Sequence, residues 1–100
     1  MKIPVLGEKA QIITAERKAE AGQRLTRIEG QIRGIRKMVE EDRRCVDVLV
    51  QLASAQEALR GLTKLIMRNY LENCATEAIR SKANDEIYDE LMDVIFKFAK

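Results

Sequence analysis

One hundred residues, 46% of them hydrophobic but with only two Tyr, two Phe and one proline, suit one small domain of long helices better than a sheet. The absence of histidine removes Ser-His-Asp and Cys-His catalysis and the commonest ligand of zinc, nickel and copper sites. The net charge of +2 hides an asymmetry: residues 1–44 carry 11 Lys/Arg against 7 Asp/Glu, and residues 45–100 carry 7 against 9. A basic N-terminal half points to a polyanionic partner, against the plainer reading of a solvated helix face.

In chain order, residues 1–13 read as a flexible tail broken by Pro4 and Gly7, and residues 14–100 as a single helical domain. Thr14 is a candidate helix cap with Glu16 in the first turn, while Gly22 weakens the start and moves the firm helix toward Gln23. From Leu25 the pattern is clear. Leu25, Ile28, Ile32, Ile35 and Val39 step by three and four, and the helix should end near Glu41–Arg43. Arg24 and Arg27 lie side by side on it, with Arg33, Arg36 and Lys37 extending the basic surface. Gly30 and Gly34 are expected to be compensated by a close backbone approach to a neighbour.

A second helix spans Cys45–Cys74, with Val48, Leu52, Ala55, Leu59, Leu62, Ile66 and Tyr70 on one face, and can run on to Ile79 before Ser81 and Lys82. A third, shorter helix is capped by Asn84 or Asp85 and shows Ile87, Leu91, Val94, Ile95 and Phe98 on its apolar face. The expected class is all-α: two long helices and one short one, in an oligomeric bundle, since one pair of amphipathic helices cannot bury both apolar stripes. The apolar runs at Ile3–Leu6 and Ile12–Ile13 are too short for a leader or a membrane span, so the chain reads as cytoplasmic.

The two cysteines bracket the long stripe. In a straight helix their 29-residue separation puts both on one face, about 43 Å apart, whereas a disulfide needs Cα atoms within roughly 7 Å. Two such helices packed antiparallel bring Cys45 of one chain beside Cys74 of the other; the alternative is two unrelated buried thiols. Cys45, at a helix start after Arg43 and Arg44, is in a setting that favours a thiolate and an attacking role. Cys74, sharing its stripe with Ile66 and Tyr70, is set to stay a thiol and resolve the product. Two thiolates also suit Cu(I), whereas zinc usually takes four ligands and no others are evident.

The run Arg24-Leu25-Thr26-Arg27-Ile28-Glu29-Gly30-Gln31-Ile32-Arg33-Gly34-Ile35, with Cys45 and Cys74 downstream, resembles the signature of the copper-sensing operon repressor family (CsoR/RcnR/FrmR type). The resemblance covers roughly residues 20–98. It implies an antiparallel four-helix-core dimer, a dimer-of-dimers tetramer, and a repressor that leaves double-stranded operator DNA when an inducer reaches the cysteines. Copper sensors carry a histidine where this chain has Tyr70, and often a tyrosine where it has Arg44; Glu90 matches a glutamate lying behind the metal ligands. Nickel and cobalt sensors need several histidines, and formaldehyde sensors a terminal proline amine. What remains looks like the persulfide-sensing, CstR-like branch, which implies a persulfide inducer, a disulfide or sulfur-extended bridge between Cys45 and Cys74, and control of sulfur detoxification.

On that reading Arg24, Arg27 and Arg33, with Arg60 and Lys64 of helix two, contact DNA. No catalytic residue and no resident cofactor are expected. Cu(I) held by Cys45 and Cys74 is the alternative inducer, and a thiol-based sulfur carrier is the rival from another class. The lack of a Cys-x-x-Cys motif and of a histidine base counts against the carrier.

Overall fold

Helix α1 (Ala15–Glu40) and helix α2 (Cys45–Asn69) lie antiparallel in the computed structural model, which describes residues 13–75, 80 and 85–98, with the backbone alone at Cys74 and Ala75. A π-helical turn (Tyr70–Ala75) continues α2, and α3 (Asp85–Phe98) closes the described chain. The all-α class with two long helices and one short one holds. Residues 1–12 of the expected tail (residues 1–13), the extension to Ile79, the break at Ser81 and Lys82 and the cap at Asn84 lie outside the described residues.

The pairing register is read from cross-helix contacts. Thr14 meets Asn69, Arg24 lies against Gly61 and Gln31 bonds Ser54, so position rises along α1 as it falls along α2, while the long Arg17 side chain reaches across that register to Glu72. Ala21, Ile28 and Ile35 of α1, Ala55 of α2 and Ile87 of α3 are the buried apolar residues. This core is small. Leu25, Ile32 and Val39, the other half of the α1 stripe, stay 44%, 48% and 59% exposed, and Val46, Leu49, Val50, Leu52 and Leu59 of α2 are exposed as well. Apolar residues at seven-residue steps beside a buried set at the same step form the seam of a helical bundle. A single chain covers only one side of that seam and leaves the other for a partner.

Two boundaries differ from expectation. α1 begins at Ala15 in spite of Gly22, because its start is held twice. Thr14 caps it with a hydroxyl that accepts from Arg17 N–H at 3.4 Å, and the Thr14 N–H itself donates to Asn69 Oδ1 of α2 at 3.1 Å. At its other end α1 closes in a Schellman turn: Arg43 N–H reaches Met38 O at 3.0 Å and Asp42 N–H reaches Val39 O at 3.2 Å. Asp42 takes the left-handed position with φ 57°, where a short polar side chain is among the few non-glycine types accepted. This tight closure sets the entry to α2.

The second difference is that α2 gives up regular α geometry at Asn69, five residues before Cys74. A π turn takes one residue more than an α turn, so the backbone register at Cys74 is displaced by about one residue, roughly 100° of rotation, from a straight continuation. Asn73 supports the widened turn by donating its side-chain amide to Asn69 O at 3.3 Å. The close approach expected at Gly30 and Gly34 is not made within the chain, since a Cβ at either would meet nothing within 4 Å. No helix among the described residues is long and apolar enough to cross a membrane.

Candidate functional site

Cys45 is the first residue of α2 and is exposed. Its position follows from the turn before it: the Schellman closure releases the chain at Arg43, Arg44 adopts extended geometry as the N-cap, and Val48 N–H bonds back to Arg44 O at 3.1 Å. The Arg44 side chain does not cap the helix. Its guanidinium grips Asp47 through two bonds, Nε to Oδ2 at 3.1 Å and Nη2 to Oδ1 at 3.2 Å, so this cation is committed to a carboxylate one turn into α2. Cys45 is thus a solvent-facing sulfur at the positive end of a helix, open to a soft metal ion or an electrophile.

Cys74 belongs to the π turn at the opposite end. Around that turn the structure gathers Asn69 and Glu72, which sequence patterns did not single out. Asn69 is 1% exposed, the most buried polar residue described. Glu72 receives Arg68 at 2.9 Å and Arg17 at 2.5 Å. The hydrogen bond from Arg68, then that from Arg17, holds the Glu72 carboxyl below the usual carboxylate range, and Glu72 in turn raises Arg68. Half-buried Tyr70 directs its hydroxyl into the protein. Glu90 is half-buried on α3. One signal for Asn69 was present in the sequence: it falls three residues after Ile66 on the buried face, a polar side chain where the stripe calls for an apolar one.

The basic residues divide into two groups. Arg24 pairs with Glu20 at 3.2 Å, and its guanidinium covers Gly61, where a Cβ would come within 3.0 Å of Nη1. Arg60 pairs with Glu57. Arg27, Arg33 and Lys64 are exposed and have no ion-pair partner among the described residues. Arg60, Lys64 and Arg68 also edge a groove of about 450 Å³ whose apolar floor is Met67, Leu71 and Phe98. Arg24 and Arg27, neighbours on the sequence, therefore face different surroundings.

The sequence matches the family described as metal-sensitive transcriptional repressor over residues 17–97. The chain belongs to this family. These repressors include the copper-sensing transcriptional repressor CsoR of Bacillus subtilis (strain 168), 40% identical over 87 residues that make up 87% of this chain and 86% of that one. Among solved structures, the copper-sensing repressor CsoR with Cu(I) from Geobacillus thermodenitrificans NG80-2 is 44% identical, with a TM-score of 0.77 over 87% of this chain and 91% of that one. The nickel-responsive transcriptional regulator InrS is 32% identical, with a TM-score of 0.69 over 80% and 90%. A repressor family, rather than an enzyme, sets aside the sulfur-carrier rival.

These likenesses correct the expectation of a repressor without a cofactor. The two CsoR relatives are copper-sensing, and one of them is solved with Cu(I). They also give no support to the persulfide-sensing branch. Tyr70 in place of the histidine does not exclude Cu(I), because two thiolates suit a soft ion and the loss of one nitrogen donor leaves both.

The donor set here fits that ion. Cys45 is exposed, and the helix carrying both cysteines keeps them too far apart to share a metal within one chain. No group of three His, Cys, Asp or Glu among the described residues of one chain could hold a metal. A site using both sulfurs must therefore be completed between chains. Tyr70 offers a hard phenol oxygen, a poor match for a soft ion.

Proposed function

We propose that this repressor binds operator DNA and is released by Cu(I) held between Cys45 of one subunit and Cys74 of its partner. The observation that carries the reading is the likeness to copper-sensing CsoR proteins over most of both chains, in a protein whose two thiols bracket one long helix. Bound Cu(I) would supply a soft, low-coordinate link between two thiolates. The chain's own residues provide the rest. The Schellman turn and the Arg44–Asp47 pair fix where Cys45 begins α2, and the π turn fixes the register of Cys74. The working unit is an antiparallel dimer, two of which make a tetramer, with the exposed halves of the α1 and α2 stripes as the seam.

For the nucleic-acid face, Arg27, Arg33 and Lys64 are offered to phosphates directly, while Arg24 and Arg60 reach DNA by exchanging their partners Glu20 and Glu57. The test is an anisotropy titration of operator DNA with the reduced protein, with and without one equivalent of Cu(I) per chain. Release by Cu(I), abolished in Cys45→Ala and in Cys74→Ala, supports the reading. Release by an organic persulfide but not by Cu(I) overturns it.

A further inference from the structure

We propose that Asn69 and Glu72 are positioning residues that clamp the turn carrying Cys74 to the first turn of α1, so that a change at Cys74 is delivered to the basic helix. The inference rests on the copper reading only for the source of that change.

The clamp has two points. Asn69 Oδ1 accepts the Thr14 N–H at 3.1 Å, and Glu72 holds Arg17 Nη2 at 2.5 Å. Each joins residues 55 apart in the chain. The two points are three residues apart on both sides, so on each element they lie about one turn apart on the same side. One contact leaves a helix end free to pivot, whereas two contacts at that spacing fix its rotation as well as its position. Apart from the Gln31–Ser54 hydrogen bond at 3.1 Å, the rest of the α1–α2 seam is different in kind. Ala21, Ile28, Ile35 and Ala55 make non-directional apolar contacts, which tolerate a small slide. Directional hydrogen bonds at the end do not.

The same residues also hold each element's own geometry. Thr14 is the N-cap of α1 and Arg17 N–H donates to its hydroxyl. Asn69 O and Oδ1 both accept from Asn73 Nδ2, at 3.3 and 3.4 Å, and Glu72 also binds Arg68. The π turn stores one residue more than its α-helical alternative. Its register is thus the part of α2 that a ligand at Cys74 can alter without disturbing the helix before it, and any alteration must either break the clamp or carry the start of α1 along. Exposed ion pairs contribute little to stability, so the Arg17–Glu72 link should matter for coupling more than for folding.

The experiment uses the intact repressor and its operator. Coupling is reciprocal, so operator binding to the metal-free protein should slow hydrogen exchange at amides 70–75 at least fivefold, and Glu72→Gln should remove most of that effect with little change in melting temperature. In a second arm, the ratio of operator affinities without and with Cu(I) should fall at least fivefold in Asn69→Ala and in Glu72→Gln, at unchanged Cu(I) affinity. The charge exchange Arg17→Glu with Glu72→Arg should restore it. If Asn69→Ala fails to fold, Glu72→Gln and the exchanged pair decide the matter. Unchanged exchange at 70–75 on operator binding, or an unchanged affinity ratio in Glu72→Gln, overturns the clamp. If the exchange arm behaves as expected while Cu(I) fails to release DNA from the unaltered protein, the clamp stands and the copper reading falls.

Discussion

Ile32→Ala tests whether the exposed half of the α1 stripe is a subunit seam. Ile32 is 48% exposed in the single chain, between Leu25 and Val39 at seven-residue steps, with Ile28 and Ile35 buried against α2. Shortening isoleucine to alanine removes three carbons, worth about 2.4 kcal/mol if all are withdrawn from water. With 48% of the residue still open in one chain, about half of that, roughly 1.2 kcal/mol, belongs to contact with a partner. In a two-fold dimer the change counts twice, so the dimer should weaken by about 2.3 kcal/mol, near 50-fold in dissociation constant. Sedimentation over a dilution series measures this directly. Arg33→Ala, also exposed on α1, is the control and should leave the constant within about twofold, as surface changes usually fall within ±0.5 kcal/mol. An Ile32→Ala protein that dissociates no more readily than the unaltered chain would show that the stripe is not the seam.

Three further outcomes are expected. Asp42→Gly relieves a non-glycine residue at φ 57° and should stabilise the protein by about 0.5–1 kcal/mol in a denaturant melt, the relief of Cβ crowding in the left-handed turn outweighing glycine's entropic cost; a loss of stability would mean that the Asp42 side chain contributes more than its backbone strain. Arg27→Ala should lower the slope of log affinity against log salt by about one, with weaker operator binding at every salt concentration, if Arg27 contacts a phosphate; an unchanged slope would make it a solvated side chain. Because Arg68 and Arg17 hold Glu72 below the ordinary carboxylate range, its ion pairs contribute fully above the unfolded carboxyl value and fade as pH falls through the lowered folded one. The operator-induced slowing of exchange at amides 70–75 should show that acid-side loss in the unaltered protein and stay small at every pH in Glu72→Gln.

The periodic spacing of Leu25 to Val39 and of Val48 to Tyr70 was enough to settle the class, because a helix face is a local property repeated every three or four residues. The same holds for the two thiols at the ends of one long element and for the run from Arg24 to Ile35 that marks the family. Contacts between distant residues were not legible. The Thr14 cap and Glu16 marked a start at Ala15, but Gly22 argued for one nearer Gln23, and what decides for Ala15 is the bond from Thr14 to Asn69, 55 residues away. Nor does any local pattern mark the π turn, whose Arg17–Glu72 pair exists only once α1 and α2 lie antiparallel. Arg24 and Arg27 differ for the same reason: a charge count treats them alike, but packing lays Arg24 over Gly61 and leaves Arg27 in solvent. Helical period and composition are written in neighbours along the chain, whereas the partners of a charge or of a buried amide are chosen by which helix face the fold brings opposite.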